Sequence, residues 1–174
     1  MIKSTAVVLL ILVLISSCQQ KAAQVLKSKK VMKNDIEMLY GSIDAEQLYF
    51  DYPEWKKIQS AYQPDPAVIK KLSVLDESFD VKLFLATWCP DCRREVPHFY
   101  KIMEESGLDE KMKISILAVD RSLDLENDLA DQHNLEKVPT FIFYKNNKEI
   151  GRIIESPESF LLEEDILKIL SKEL

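Results

Sequence analysis

The residues best suited to chemistry are Trp88-Cys89-Pro90-Asp91-Cys92, with two thiols separated by two residues. Such a pair can be half of a zinc site, a structural disulfide, or a dithiol that trades electrons with other proteins. Zinc wants about four ligands, usually thiolates and imidazoles. Beyond this pair and an N-terminal Cys18 the chain offers only His98 and His133, in different segments, and no second C-x-x-C. No metal is expected. A disulfide across two residues closes so small a loop that it removes little chain entropy. The exchanging dithiol fits best, and it needs no cofactor beyond a redox-active Cys89–Cys92 disulfide.

The flanking residues place the pair. The run "FDVKLFLAT" (79–87) is short and mostly apolar, as a buried strand is, and residues 90–106 have helical character. Cys89 therefore falls at a helix N-terminus, where free N–H groups and the helix dipole lower a thiol's pKa. Pro90 at the first helical position forfeits no hydrogen bond. Cys92, one turn on, faces the same side and is less exposed. Cys89 is thus the expected nucleophile, and Cys92 the thiol that resolves the mixed disulfide. Asp91 opposes the thiolate by its charge, with Arg93 and Arg94 as candidates to offset it.

Elsewhere, "KISILAVD" (113–120) reads as a second strand and "DLENDLADQHNL" (124–135) as a polar helix. "TFIFY" (140–144) and "EIGRII" (149–154) flank a hairpin turn at "KNNK". In "SPESFLLEEDILKIL", Ser156 is the expected N-cap and Pro157 the first helical residue. An apolar stripe there runs through Phe160, Leu161, Ile166, Leu167 and Leu170. The order from residue 79 is β-α-β-α-β-β-α. Residues 36–78 read as short helical pieces, with Pro53 in one first turn and Asp65-Pro66 starting another. Their aromatics (Tyr40, Leu48 beside Tyr49 and Phe50, Tyr52, Trp55, Tyr62) are expected to pack this extension onto the main domain.

The chain has 174 residues, 47% hydrophobic and 30% charged, which suits one globular domain with an appendage. A net charge of −6 with no basic block argues against nucleic-acid partners. With three glycines, Gly-rich phosphate loops are absent. The N-terminus, "MIKSTAVVLLILVLISSC", carries an apolar run at 6–15, shorter than the roughly 20 residues that span a bilayer and of signal-peptide length. Ile15-Ser16-Ser17-Cys18 resembles a bacterial lipobox, which implies lipid modification of Cys18 and stable membrane attachment. The expected division is a signal peptide at 1–17, a polar tether at 18–35, a helical extension at 36–78 and the main domain at 79–174. With Cys18 acylated, the remaining cysteines are one pair, in a compartment where disulfides persist.

From Phe79 onward the sequence resembles the thioredoxin family, an α/β fold with a central mixed sheet flanked by helices. Trp88-Cys89-x-x-Cys92 matches the active-site motif, and Val138-Pro139-Thr140 the segment bearing a cis-proline opposite the dithiol. The resemblance implies that Val138 and Pro139, with Trp88, Pro90 and Asp91, bind an extended substrate, Trp88 being the flat surface beside Cys89. "WCPDCRREVPHF" is similar to the membrane-tethered TlpA and ResA oxidoreductases, matching at Arg93, Glu95 and Pro97. That similarity implies a proton-handling role for Glu95 and a helix kinked at Pro97. Three features depart from the pattern: Leu83 stands where thioredoxins carry a buried aspartate, no insert precedes the cis-proline, and Lys137 stands where relatives often have glycine.

The implied protein is a lipid-anchored enzyme of the bacterial envelope, facing the periplasm from the outer membrane. It would reduce protein disulfides with electrons from a membrane or envelope thiol donor. A disulfide oxidase or isomerase, a non-catalytic adaptor for an envelope protein, and thiol delivery of copper are the competing readings.

Overall fold

In the computed structural model, which describes residues 29–33 and 35–173, the chain runs β1 (Lys29–Lys33), β2 (Ile36–Ile43), α1 (Ala45–Asp51), α2 (Pro53–Ala61), α3 (Pro66–Ser73), β3 (Phe79–Leu85), α4 (Pro90–Ser106), β4 (Met112–Ala118), α5 (Leu129–Gln132), β5 (Thr140–Lys145), β6 (Lys148–Ile154) and α6 (Leu162–Leu170). The signal peptide, Cys18 and most of the tether inferred from sequence lie outside the described residues. Among the described residues no helix is long and apolar enough to cross a membrane.

The strands form a six-stranded sheet in the order β1-β2-β4-β3-β5-β6. β3 and β4 are parallel, and every other neighbouring pair is antiparallel. Leu83, in place of the thioredoxins' buried aspartate, lies fully buried at the sheet's centre, opposite Ile116 and Phe141. α4 carries a stripe at helical spacing (Cys92, Val96, Phe99, Met103) against the sheet. Phe99 meets Phe141 of β5 at 5.0 Å between ring centroids. α4 ends on Gly107, whose φ of 69° is the left-handed cap that glycine adopts freely, and the Leu108 N–H closes onto the Met103 carbonyl. The helix runs through Pro97 unbroken.

The segment 36–78, read as short helical pieces, begins instead with a strand. β2 pairs with β4 through Gly41–Ala118, Ser42–Leu117 and Ile43–Ile116, so it is part of the same sheet. Leu39, Leu48, Trp55 and Leu72 belong to one buried cluster with Leu83, Phe99 and Phe141. β2 covers β4, which would otherwise present an unpaired edge, and it buries Met38, Leu39 and Tyr40 in succession. β1 falls in the expected tether and takes over the edge position. Its lysines 29 and 33 lie over the Tyr40 ring at 5.1 and 5.5 Å.

Two expected helices are also shorter. Residues 124–135 form only a 3₁₀ turn, Glu126–Asp128, and the single turn of α5. Asn127 and Asp128 have φ of 62° and 54°, a left-handed conformation that asparagine and aspartate tolerate and a helix does not. α6 begins at Leu162 rather than Pro157. The Ser156 hydroxyl, expected to cap it, instead accepts from Arg94, and the Asp165 carboxylate takes the Glu158 N–H, folding 156–161 into turns. Phe160, placed by sequence in the apolar stripe, is 96% exposed.

Candidate functional site

β3 delivers the chain to Ala86, and a tight turn brings Cys89 to the N-cap of α4. Its Sγ accepts the Cys92 N–H at 3.4 Å, standing where a serine or aspartate oxygen would in an ordinary cap. The Cys89 thiol also donates to the Val138 carbonyl at 3.2 Å. Cys92 is fully buried and its Sγ accepts the Ala86 N–H at 3.3 Å. Both cysteines are free thiols. The turn is held from the extension, where the Leu39 N–H donates to the Thr87 hydroxyl at 3.3 Å.

The two sulfurs are electrostatically unlike. Cys89 is pulled down to about 6, chiefly by the hydrogen bond from the Cys92 thiol, against the cost of burial and with help from the Cys92 and Asp91 amides. Cys92 is pushed up, first by burial and then by its bond to Cys89. At neutral pH the arrangement is a thiolate at Cys89 hydrogen-bonded by a protonated Cys92. That polarity is what a nucleophile and a resolving thiol need.

The structure brings together most of the residues singled out from sequence. Val138–Pro139 is a cis peptide, with the Val138 carbonyl on Cys89 and the Pro139 carbonyl accepting the Glu155 N–H at 2.8 Å. Pro90 is the exposed first residue of α4. Trp88 is half-buried, its indole N–H has no partner, and the Arg121 guanidinium lies over its ring at 4.8 Å. Asp91 is engaged by Arg94, Nη2 to Oδ1 at 2.8 Å, while Arg93 is exposed. Lys137 pairs with Glu155 at 2.6 Å.

Glu95 is buried one turn beyond Cys92, and burial raises its pKa although Arg94 opposes the rise. Its carboxylate accepts from Arg94 Nε at 2.6 Å and has His98 Nδ1 at 3.8 Å. The sulfurs' own partners are Ala86, Cys92 and Val138, so no direct bond joins Glu95 to the dithiol. His98 stacks on Tyr62 at 3.8 Å, and burial lowers its pKa. Tyr62 in turn donates to Glu163 of α6 at 2.7 Å. His133 lies elsewhere, bonded to Lys82. Among the described residues no cluster of histidine, cysteine and carboxylates could hold a metal ion.

Sequence reasoning missed Thr87, in the turn just before Cys89, and Arg121, Ser156, Tyr62 and Glu163, which reach the site from distant segments. Only the Asp91–Arg94 pair had a local signal, the i,i+3 spacing on one helix.

Comparison with known proteins accords with this geometry. Residues 44–163 match the family profile described as Thioredoxin. Thioredoxin-2 of Saccharomyces cerevisiae is 30% identical over 100 residues, covering 56% of this chain and 83% of that protein. Protein disulfide-isomerase A5 of Mus musculus is 35% identical over 77 residues, 44% of this chain. The match spans only 14% of that isomerase, and 22% of its counterpart from Bos taurus. A protein of unknown function from Pseudomonas aeruginosa shares the fold, with a TM-score of 0.55 at 17% identity over 76% of this chain and 88% of its own. With the mixed sheet, the C-x-x-C at the start of α4 and the cis-proline against it, the match over 44–163 settles the family: this chain belongs to the thioredoxins.

Proposed function

We propose that this chain is a thiol-disulfide oxidoreductase that reduces disulfides of proteins in the cell envelope. The reading is carried by the asymmetry of the two sulfurs, a lowered Cys89 at the N-cap of α4, 7% exposed, against a raised, fully enclosed Cys92. The Cys89 thiolate attacks one sulfur of a substrate disulfide R–S–S–R′. A Cys89–S–S–R bond forms and R′S⁻ leaves, taking up a proton from water. The Cys92 sulfur then attacks Cys89, closing the Cys89–Cys92 disulfide. R leaves as its thiolate and receives the proton that Cys92 gives up. Two electrons pass to the substrate, and a thiol donor of the membrane or envelope restores the dithiol.

Substrate backbone would lie across Val138-Pro139, with Trp88 and the Pro90-Asp91 turn as its other walls. Lipidation at Cys18, attachment to the outer membrane and a periplasmic orientation complete the proposal, supported by the lipobox-like "ISSC". The similarity to the TlpA and ResA group is part of the same reading.

The test is Cys92→Ser, which removes the resolving thiol. Substrate proteins should accumulate as mixed disulfides through Cys89 in an envelope extract, and should vanish with Cys89→Ala. An extract with no trapped species would overturn the reading. An isomerase or oxidase is the second reading, favoured by the disulfide isomerase among the relatives and by a lowered Cys89, which stabilises the reduced pair. A strongly reducing potential for the purified pair supports the reductase, and an oxidising one supports the alternative.

A further inference from the structure

Asp91 is an anion placed between two thiols, one of which must become an anion itself. At the second position of α4 its carboxylate suits the helix dipole. Toward the sulfurs it acts the other way, and its charge raises both Cys89 and Cys92. The Arg94 guanidinium meets it from one turn on, and it is not a loose surface cation. Nη2 bonds Asp91 Oδ1 at 2.8 Å and Ser156 Oγ at 3.0 Å, while Nε bonds Glu95 Oε1 at 2.6 Å. One of these partners is buried, and another belongs to the segment between β6 and α6. A planar fork held at three points keeps its charge in place, which a lysine with a single ammonium cannot reproduce.

We propose that Arg94 is a positioning residue of the dithiol, which neutralises Asp91 so that the charge between the cysteines does not suppress the Cys89 thiolate. The inference rests on Cys89 being the attacking sulfur and assigns the redox poise of that site to an ion pair on the outer face of α4. Other charged and titratable groups face this turn. Glu95 and His98 lie on α4 itself, Glu163 on α6, Tyr62 after α2, Lys137 with Glu155 beside the cis-proline, and Arg121 over Trp88. Only Asp91 stands between the two cysteines, so the effect of Arg94 should depend on Asp91.

The experiment is a double-mutant cycle on the full chain, reduced, read by ultraviolet thiolate absorbance against pH and by the reduction potential. Asp91 and Arg94 are 38% and 48% exposed, so solvent screens the pair and a modest effect is expected. Arg94→Gln should leave roughly three- to tenfold less thiolate at any pH below the midpoint and make the pair more reducing. Arg94→Lys should fall between Arg94→Gln and the unaltered protein. Asp91→Asn should slightly increase the thiolate, and in its background Arg94→Gln should change it less than about twofold. Circular dichroism checks that each variant is folded, and Arg94→Lys retains the charge should Arg94→Gln fail to fold. An equal effect of Arg94→Gln with and without Asp91, or no effect, overturns the proposal. An unaltered protein titrating as an ordinary thiol would instead overturn the assignment of Cys89 as nucleophile.

Discussion

Replacing Glu163 tests whether the extension is fastened to the rest of the fold as the structure indicates. Glu163 is fully buried at the start of α6, and its two oxygens accept from the Tyr62 hydroxyl at 2.7 Å and the Asp65 N–H at 2.8 Å. One carboxylate thus ties α6 to the turn that starts α3. Hydrogen bonds to a charged acceptor contribute about 1.5–3 kcal/mol each. Tyr62 and Asp65 are only partly buried, so water can relieve the orphaned donors and the lower figure applies. Glu163→Ala should therefore cost about 3 kcal/mol. Glu163→Gln keeps an acceptor for one donor and should cost about 1.5 kcal/mol. Tyr62→Phe should also cost about 1.5 kcal/mol, but almost nothing further in the Glu163→Ala background. Urea unfolding of the reduced protein measures all of these. The two tryptophans supply separate probes, Trp55 in the extension and Trp88 beside the dithiol. Single-tryptophan variants should report one shared transition, since Trp55 lies in the common core. A cost below about 1 kcal/mol for Glu163→Ala, or an earlier transition at Trp55 than at Trp88, would refute the reasoning.

Cys89, pulled down to about 6, should be alkylated at a rate that climbs with pH to a plateau above that midpoint, and stopped-flow labelling measures it. Because its pKa is lower folded than in the unfolded chain, where a thiol titrates at about 8.5, the thiolate stabilises the reduced fold fully above the unfolded value. That contribution is lost as pH falls through about 6, and a comparison of unfolding with Cys89→Ser across this window reads it. Thr87→Val keeps the side-chain shape but removes the acceptor for the buried Leu39 N–H. It should cost about 1–2 kcal/mol and speed hydrogen exchange at Leu39, and an unchanged exchange rate would show that the turn does not depend on β2.

What was legible in the sequence had a local cause. The Asp65-Pro66 start of α3 is written in two residues, and the Asp65 side chain does cap the Ala67 and Val68 amides. The hairpin at Asn146-Asn147 follows from two residues that tolerate positive φ, 52° and 63° here. The C-x-x-C spacing and the Val-Pro step were likewise readable, and they meet at Cys89. What was illegible depended on partners far along the chain. Ile36–Ile43 is a strand because β4 needs a neighbour, and nothing within those residues states that need. Ser156 looked like an N-cap until Arg94 claimed its hydroxyl from 62 positions away. The resemblance implied a proton-handling Glu95, and its carboxylate is buried and bonded to Arg94, with no hydrogen bond to either sulfur.

The contact between the Cys89 thiol and the Val138 carbonyl has a consequence for timing. A sulfur donates to that oxygen only while it holds its proton. Once the proton departs, the sulfur becomes nucleophilic and the carbonyl loses its donor in the same event. If the proposed function holds, an incoming chain with a free backbone N–H would then find an acceptor vacated beside the attacking sulfur. One proton serves as a latch on that carbonyl, closed as pH falls below about 6 and open near neutrality, where Cys89 is already a thiolate.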